Sequence, residues 1–270
     1  MFWNANYAQL QIRDTQMEYI SFGKGSKHLV LLPGLGDALT TLYGKSIPMA
    51  WAYRMYAKEY KVYLFSRIRD LPEGYTTRDM AFDQAEAMRI LGIQKAAVIG
   101  VSQGGMIAQH LAICAPDLVE RLILTVTTAR SNEQTRNVIE GWVSMAKRND
   151  YRSIMIDTTD KSYSQQYLRK MRFFYTFIGR FGKPKDFHRF LIQARSCIEH
   201  DSFAHLNQVG CPTLIIGGDQ DQIIPVECSY ELAREIPNSE IMIYKGLGHA
   251  AYEEASDFHE RVMKFLTQVI

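Results

Sequence analysis

The chain has 270 residues, 47% of them hydrophobic and 22% charged, with 31 basic and 29 acidic side chains and a net charge of +2. That much apolar material excludes a disordered chain. So even a charge balance, with no long Lys/Arg run, excludes the electrostatic footprint of a nucleic-acid binder.

In chain order, two short alternating segments, Gln9 to Ile12 and Gln16 to Phe22, flank Arg13-Asp14 and predict an antiparallel hairpin. His28 to Leu32 (HLVLL) is a continuous apolar run stopped by Pro33-Gly34, the signature of a strand buried on both faces. Lys61 to Phe65, Lys95 to Val101 and Arg121 to Thr127 look the same. Between the runs lie helical patterns. The clearest is Thr77 to Leu91, where Met80, Ala81, Ala85, Met88 and Leu91 recur at helical spacing and Gly92 supplies a stop. Such alternation predicts a mostly parallel sheet flanked by helices.

From Ser131 to Val209 no buried-strand run occurs, only helical periodicity and loops, which predicts a helical insertion. The alternation resumes at Pro212 to Gly217, then a helix from Pro225, a strand at Glu240 to Tyr244 and a last helix from Glu253 to Val269. The insertion carries 13 basic and 8 acidic residues, +5 against −3 for the remainder, and reads as a cap over a core formed by residues 1–130 and 210–270. Its aromatics, among them Trp142, Phe173, Phe174, Tyr175 and Phe177, either line an apolar pocket or pack the insertion's own small core.

Gly100-Val101-Ser102-Gln103-Gly104 ends a buried strand and opens a helical pattern. A sharp strand-to-helix turn needs glycine on both sides of its serine, whose hydroxyl it then presents beside a helix N-terminus that favours negative charge. A serine nucleophile requires a base. His249 stands in the glycine-loosened Lys245-Gly246-Leu247-Gly248-His249 loop after the last strand. The other six histidines fall at a strand start, in helical patterns or in the insertion. The imidazole needs a carboxylate on a neighbouring loop to fix its tautomer, and Asp219 and Asp221 both qualify in Gly218-Asp219-Gln220-Asp221-Gln222-Ile223-Ile224-Pro225. A tetrahedral intermediate also needs backbone N–H donors. The Gly-rich turn Pro33-Gly34-Leu35-Gly36-Asp37 can supply one and the amide of Gln103 a second. That turn lacks the Gly-Lys-Ser/Thr ending of a phosphate cradle.

With these landmarks in this order, the chain resembles the cap-bearing branch of the α/β-hydrolase superfamily over nearly its whole length. The resemblance implies a mostly parallel sheet of about eight strands with helices around it and a helical cap insertion. It implies Ser102 as nucleophile, His249 as base and Asp221, which stands before Pro225 in the family's Asp-x-x-x-Pro context, as the acid. It maps the oxyanion donors onto the amides of Leu35 and Gln103. One departure is Pro33, where a histidine is frequent in the family.

The expected activity is hydrolysis of a carboxylic ester, lactone or thioester through an acyl-enzyme, without cofactor or metal. Acyl transfer, carbon–carbon bond hydrolysis and a non-catalytic ligand receptor are the alternatives. The expected partner is a small acyl substrate, anionic or aromatic in view of the insertion, with Arg67 or Arg69 a candidate carboxylate anchor unless both are solvated surface residues. The four scattered cysteines (Cys114, Cys197, Cys211, Cys228) form no CxxC pair and read as free thiols, and no apolar run reaches the roughly 20 residues that span a bilayer. A cytoplasmic protein without a membrane partner is the resulting expectation.

Overall fold

The computed structural model describes residues 3–171 and 177–268. Its strands are β1 (Asn6–Ile12), β2 (Thr15–Phe22), β3 (Lys27–Leu32), β4 (Tyr60–Ile68), β5 (Ala96–Val101), β6 (Val119–Thr125), β7 (Thr213–Gly218) and β8 (Ser239–Tyr244). Its helices are α1 (Ser46–Ala52), α2 (Thr77–Ile90), α3 (Gln103–Cys114), α4 (Glu133–Lys147), α5 (Tyr151–Ser162), α6 (Gln165–Met171), α7 (His188–Ile198), α8 (Val226–Glu235), α9 (Ala251–Glu254) and α10 (Phe258–Thr267).

The eight strands form one sheet in the order β1-β2-β4-β3-β5-β6-β7-β8. β2 runs antiparallel to both β1 and β4, and the pairs from β4 across to β8 are parallel. This is the mostly parallel, helix-flanked sheet expected from the alternation of apolar runs and helical patterns, with the eight strands of the α/β-hydrolase fold that the family resemblance implies.

Both faces of the central strands are covered, which is why their sequences read as unbroken apolar runs rather than alternating ones. Val30, Leu32, Val98, Leu122 and Leu124 face α2 and α3, where Met80, Met88, Ile107 and Leu111 meet them. Leu29, Leu31, Ile99, Ile123 and Ile216 point the other way, onto Phe258, Val262 and Phe265 of α10. Each such side chain, fully withdrawn from water, contributes about 1.5–3 kcal/mol. α2 starts on a capping box in which Thr76 and Asp79 exchange side-chain and backbone hydrogen bonds, and Gly92 follows its end at φ +70°.

Two elements depart from the sequence expectation. The last helix is broken: α9 ends at Glu254, the next residue, Ala255, has an extended backbone (φ −75°, ψ 113°), and α10 starts at Phe258. The break lets Glu254 accept from the Ser164 N–H and hydroxyl, while Phe258, Val262 and Phe265 turn onto the sheet. The short helix α1 has no counterpart in the sequence reading.

The connection leaving β3 runs to β4 on one side and the connection leaving β5 runs to β6 on the other. The carboxyl ends of β3 and β5 therefore border the crevice where the strand order reverses, the place such sheets use for ligands.

Candidate active site

Ser102 sits between β5 and α3 at φ +53°, ψ −117°. A non-glycine residue is costly in this region and persists only where its surroundings enforce it. Here they do. The Ser102 N–H donates to the Thr125 carbonyl at 2.9 Å, and the Ser102 carbonyl accepts from the N–H groups of Gly105 (2.8 Å) and Met106 (3.1 Å) and from the Thr127 hydroxyl (2.7 Å). A Cβ on Gly100 would stand 2.4 Å from the Gly104 carbonyl oxygen, and one on Gly104 only 1.9 Å from that of Leu32. The glycines flanking the serine are thus required by backbone packed against backbone.

The turn after β3 approaches the same point, since a Cβ on Gly34 would lie 3.3 Å from the Ser102 Cβ. Leu35 opens a 3-10 turn (Leu35–Leu39) and Gln103 opens α3. First-turn amides have no intrahelical acceptor, so both N–H groups are in the right position class to bind an incoming oxygen.

The His249 Nδ1 lies 2.7 Å from Asp221 Oδ2, with side chains 12% and 2% exposed. The other Asp221 oxygen, Oδ1, accepts from the N–H groups of Ile223 and Ile224, both at 2.8 Å. A carboxylate so saturated accepts the Nδ1–H of the imidazole and leaves Nε2 as the basic nitrogen. Asp219 acts on the loop instead. It accepts from the Gly246 N–H at 2.7 Å, at a glycine with φ +76°, and so holds the segment that carries His249. The Gln220 N–H donates to the Leu247 carbonyl at 2.9 Å, a further stitch between the two loops.

Ser102 and His249 line one cavity of about 590 Å³ whose wall also includes Leu35. Ile139, Trp142, Tyr151, Ile154 and Phe190 from the segment between β6 and β7 supply much of its apolar lining. Asp37, Lys45 and Glu253 are charged residues on the wall; the lysine is bonded to the Thr40 hydroxyl, and burial lowers its pKa against the opposing pull of Asp37. None of the other six histidines lines this cavity: His110 and His200 meet edge to face with ring centroids 5.2 Å apart, and His259 meets the Tyr56 hydroxyl at 2.9 Å. Cys197 reaches the wall, but burial pushes its thiol up to about 12, so it is inert at neutral pH. All four cysteines are free, and among the described residues no group of three or more His, Cys, Asp or Glu gathers as a metal site.

The carboxylate-anchor expectation is not met by either arginine. Arg69 is exposed and off the cavity wall, while Arg67 is 1% exposed and lies behind the turn after β3. Its Nη2 donates to the Pro33 carbonyl at 2.5 Å and to Gln103 Oε1 at 3.2 Å. A lone charge near a strand end reads as a surface residue, and nothing in its neighbours' pattern signals this burial. Of the aromatics singled out in the insertion, Trp142 lines the cavity, Phe177 is about half exposed, and Phe173, Phe174 and Tyr175 lie outside the described residues.

A family model described as the alpha/beta hydrolase fold matches residues 27–256. Among curated sequences, the chain is 24% identical over 208 residues to a putative carbamate hydrolase RutD of Serratia proteamaculans (strain 568), covering 72% of this chain and 73% of that one. It is 26% identical over 204 residues to a 2-hydroxy-6-oxononadienedioate/2-hydroxy-6-oxononatrienedioate hydrolase of Pseudomonas sp, covering 71% of each. Among solved structures, the enol-lactonase from Burkholderia xenovorans LB400 superposes with a TM-score of 0.82 at 21% identity, over 97% of this chain and all of that one. MGS-M2, an alpha/beta hydrolase from a Medee basin deep-sea metagenome library, does so at 0.87 and 21%, over 97% and 98%.

Proposed function

Because the chain belongs to the alpha/beta hydrolase fold family, we propose that it is a serine hydrolase that cleaves a carboxylic ester, lactone or thioester through an acyl-enzyme on Ser102. The Ser102 hydroxyl gives its proton to His249 Nε2 as its oxygen bonds the acyl carbon. The Leu35 and Gln103 amides hold the resulting oxyanion, and Asp221 stabilises the imidazolium. The imidazolium then protonates the leaving alcohol or thiol as its bond to carbon breaks. Water attacks the acyl-enzyme and passes a proton to His249; the bond between the acyl carbon and the Ser102 oxygen then breaks as the imidazolium returns that proton to Ser102, and the acid leaves. Nucleophile, base and oxyanion donors all come from the chain, so no cofactor is called for.

The observation that carries this reading is the saturated Asp221 carboxylate 2.7 Å from His249, on the cavity that the strained Ser102 also lines. We take residues 131–209 as a cap over the core, a reading supported by the share of the cavity wall that α4, α5 and α7 provide. The apolar wall with Trp142, Tyr151 and Phe190 favours a small apolar or aromatic acyl group, and Lys45 favours substrates that also carry a carboxylate. Four free thiols suit a reducing cytoplasm. Among the described residues no helix is long and apolar enough to cross a membrane.

The test is hydrolysis of a panel of p-nitrophenyl esters, lactones and thioesters by the parent and by Ser102→Ala. Loss of at least about a thousandfold in kcat/KM for every substrate turned over supports the reading. An alanine variant as fast as the parent ends it. Likeness to the dienedioate hydrolase makes carbon–carbon bond cleavage by the same three side chains the second reading, and turnover of a vinylogous diketone with no ester hydrolysis would select it.

A further inference from the structure

Resting on the serine-hydrolase reading, the structure assigns to Arg67 the role of positioning residue for the oxyanion site: one guanidinium ties its two halves together and places a buried positive charge behind them. A buried arginine normally lies against a carboxylate, since an unpaired buried charge is costly. Among the described residues no carboxylate stands within ion-pair distance of the Arg67 guanidinium. Asp37, the acid whose field it feels, is held instead by Arg189 of α7 at 3.1 Å.

The bonds the Arg67 guanidinium does make are to neutral oxygens on the two segments that carry the proposed donors. Pro33, whose carbonyl it takes at 2.5 Å, leads the turn to Leu35, and Gln103, whose Oε1 it takes at 3.2 Å, carries the second amide. The Gln103 side chain is oriented from the far side. Its Nε2 donates to the Gln193 carbonyl at 3.0 Å and to the Ser196 hydroxyl at 3.3 Å, both on α7. This fixes Oε1 toward Arg67.

α7 also clamps the other end of the turn. Arg189 donates through Nη1 to the Asp37 carbonyl at 3.0 Å and through Nη2 to Asp37 Oδ2. The Pro33–Asp37 turn is thus gripped by an arginine at each end, and Arg67 supplies from behind the support that the family's frequent histidine would give at position 33. The remaining Arg67 nitrogens, Nε and Nη1, are buried without a protein acceptor among the described residues. The group therefore keeps a positive charge, with no carboxylate among the described residues in direct contact, beside the place where negative charge develops during acyl transfer, which is where a preorganised charge accelerates a reaction.

The experiment uses the full chain as parent, Arg67→Met, Arg67→Lys and Ser102→Ala, with competent sites counted by end-point titration with a fluorophosphonate. Per competent site, Arg67→Met should lower kcat for an activated ester by roughly 30- to 300-fold with KM within about threefold. Affinity for a trifluoromethyl ketone, whose adduct carries the oxyanion, should fall by the same factor, and Arg67→Lys should recover at least about fivefold. A purely structural role would lower the count of competent sites and leave kcat per site unchanged. That result, or a loss confined to KM, overturns the inference. Should Arg67→Met not fold, Gln103→Met, which keeps the backbone amide and deletes the bridge, should show a kcat loss of roughly 5- to 50-fold, and parent-like turnover there overturns it equally. If Ser102→Ala retains full activity the serine reading itself fails. If it is inactive while Arg67→Met matches the parent, only the role of Arg67 is lost.

Discussion

Replacing Asp221 by Asn changes one oxygen to an amide and keeps the shape, so its consequence can be worked out atom by atom. Asp221 uses Oδ1 to accept two N–H groups, from Ile223 and Ile224 at 2.8 Å, and Oδ2 to accept from His249 Nδ1 at 2.7 Å. In Asp221→Asn the single remaining oxygen goes where two donors converge, since turning the NH2 toward those amides would set donor against donor in a buried site. The Asn NH2 then faces His249 Nδ1, which must become an acceptor. The ring proton moves to Nε2, the nitrogen that should take the Ser102 proton. The base is thereby lost while the fold, whose backbone bonds to position 221 survive, is kept.

A wrong tautomer of this kind costs about ten-thousandfold in kcat, equivalent to about 5.5 kcal/mol of barrier. The assay is kcat/KM on an activated ester and the rate of phosphonylation by a fluorophosphonate, with Tm as control. Both rates should fall by about four powers of ten, with Tm within a few degrees of the parent. A loss below tenfold with Tm unchanged would refute the tautomer argument.

Three further outcomes follow from the geometry. Gly104→Ala places a Cβ 1.9 Å from the Leu32 carbonyl oxygen and 2.7 Å from that of Pro33. Backbone on both sides cannot yield cheaply, so the variant should lose about 3 kcal/mol, roughly 5 °C in Tm, together with its hydrolytic activity; a parent-like melt in calorimetry contradicts this. Burial pulls His110 down to about 4 and His200 to about 3, so both stay neutral when folded while the unfolded chain protonates them near 6.5. Stability is therefore full above about pH 6.5 and falls as pH drops, and in urea melts at pH 7, 6 and 5 His200→Asn should flatten that fall by up to about 1.4 kcal/mol per pH unit. Parallel stability curves for the two proteins would exclude the linkage. Lys45→Met should raise KM about tenfold for esters bearing a free carboxylate and leave neutral esters unchanged; equal KM shifts for both classes would remove Lys45 as an anion contact.

The parts of the fold legible in the sequence are those where burial is symmetric. HLVLL and its counterparts are apolar throughout because helices cover both faces of β3, β5 and β6. The break between α9 and α10 is hidden because Ala255-Ser256-Asp257 contains neither glycine nor proline. What accompanies it is tertiary: Glu254 accepts from Ser164, and Phe258, Val262 and Phe265 pack on the sheet. At the site, glycine-flanked Ser102 and loop-borne His249 stand out from local pattern. The choice between Asp219 and Asp221 does not, because both follow β7; the resemblance favours Asp221 through its spacing to Pro225, and the contacts separate the two physically: Asp219 holds the Gly246 amide and Asp221 holds His249. Arg67 looks like a surface charge or a substrate anchor in the sequence, since no local signal marks an arginine buried by a turn 34 residues earlier and a helix over 100 residues later.

Catalysis through one hydroxyl requires a covalent intermediate there. Intact-mass and peptide mass spectrometry after reaction with a fluorophosphonate should show one adduct per chain, on Ser102, absent from Ser102→Ala and slowed by several powers of ten in His249→Ala. An unmodified protein that still hydrolyses esters, or an adduct on any other side chain, would contradict this mechanism.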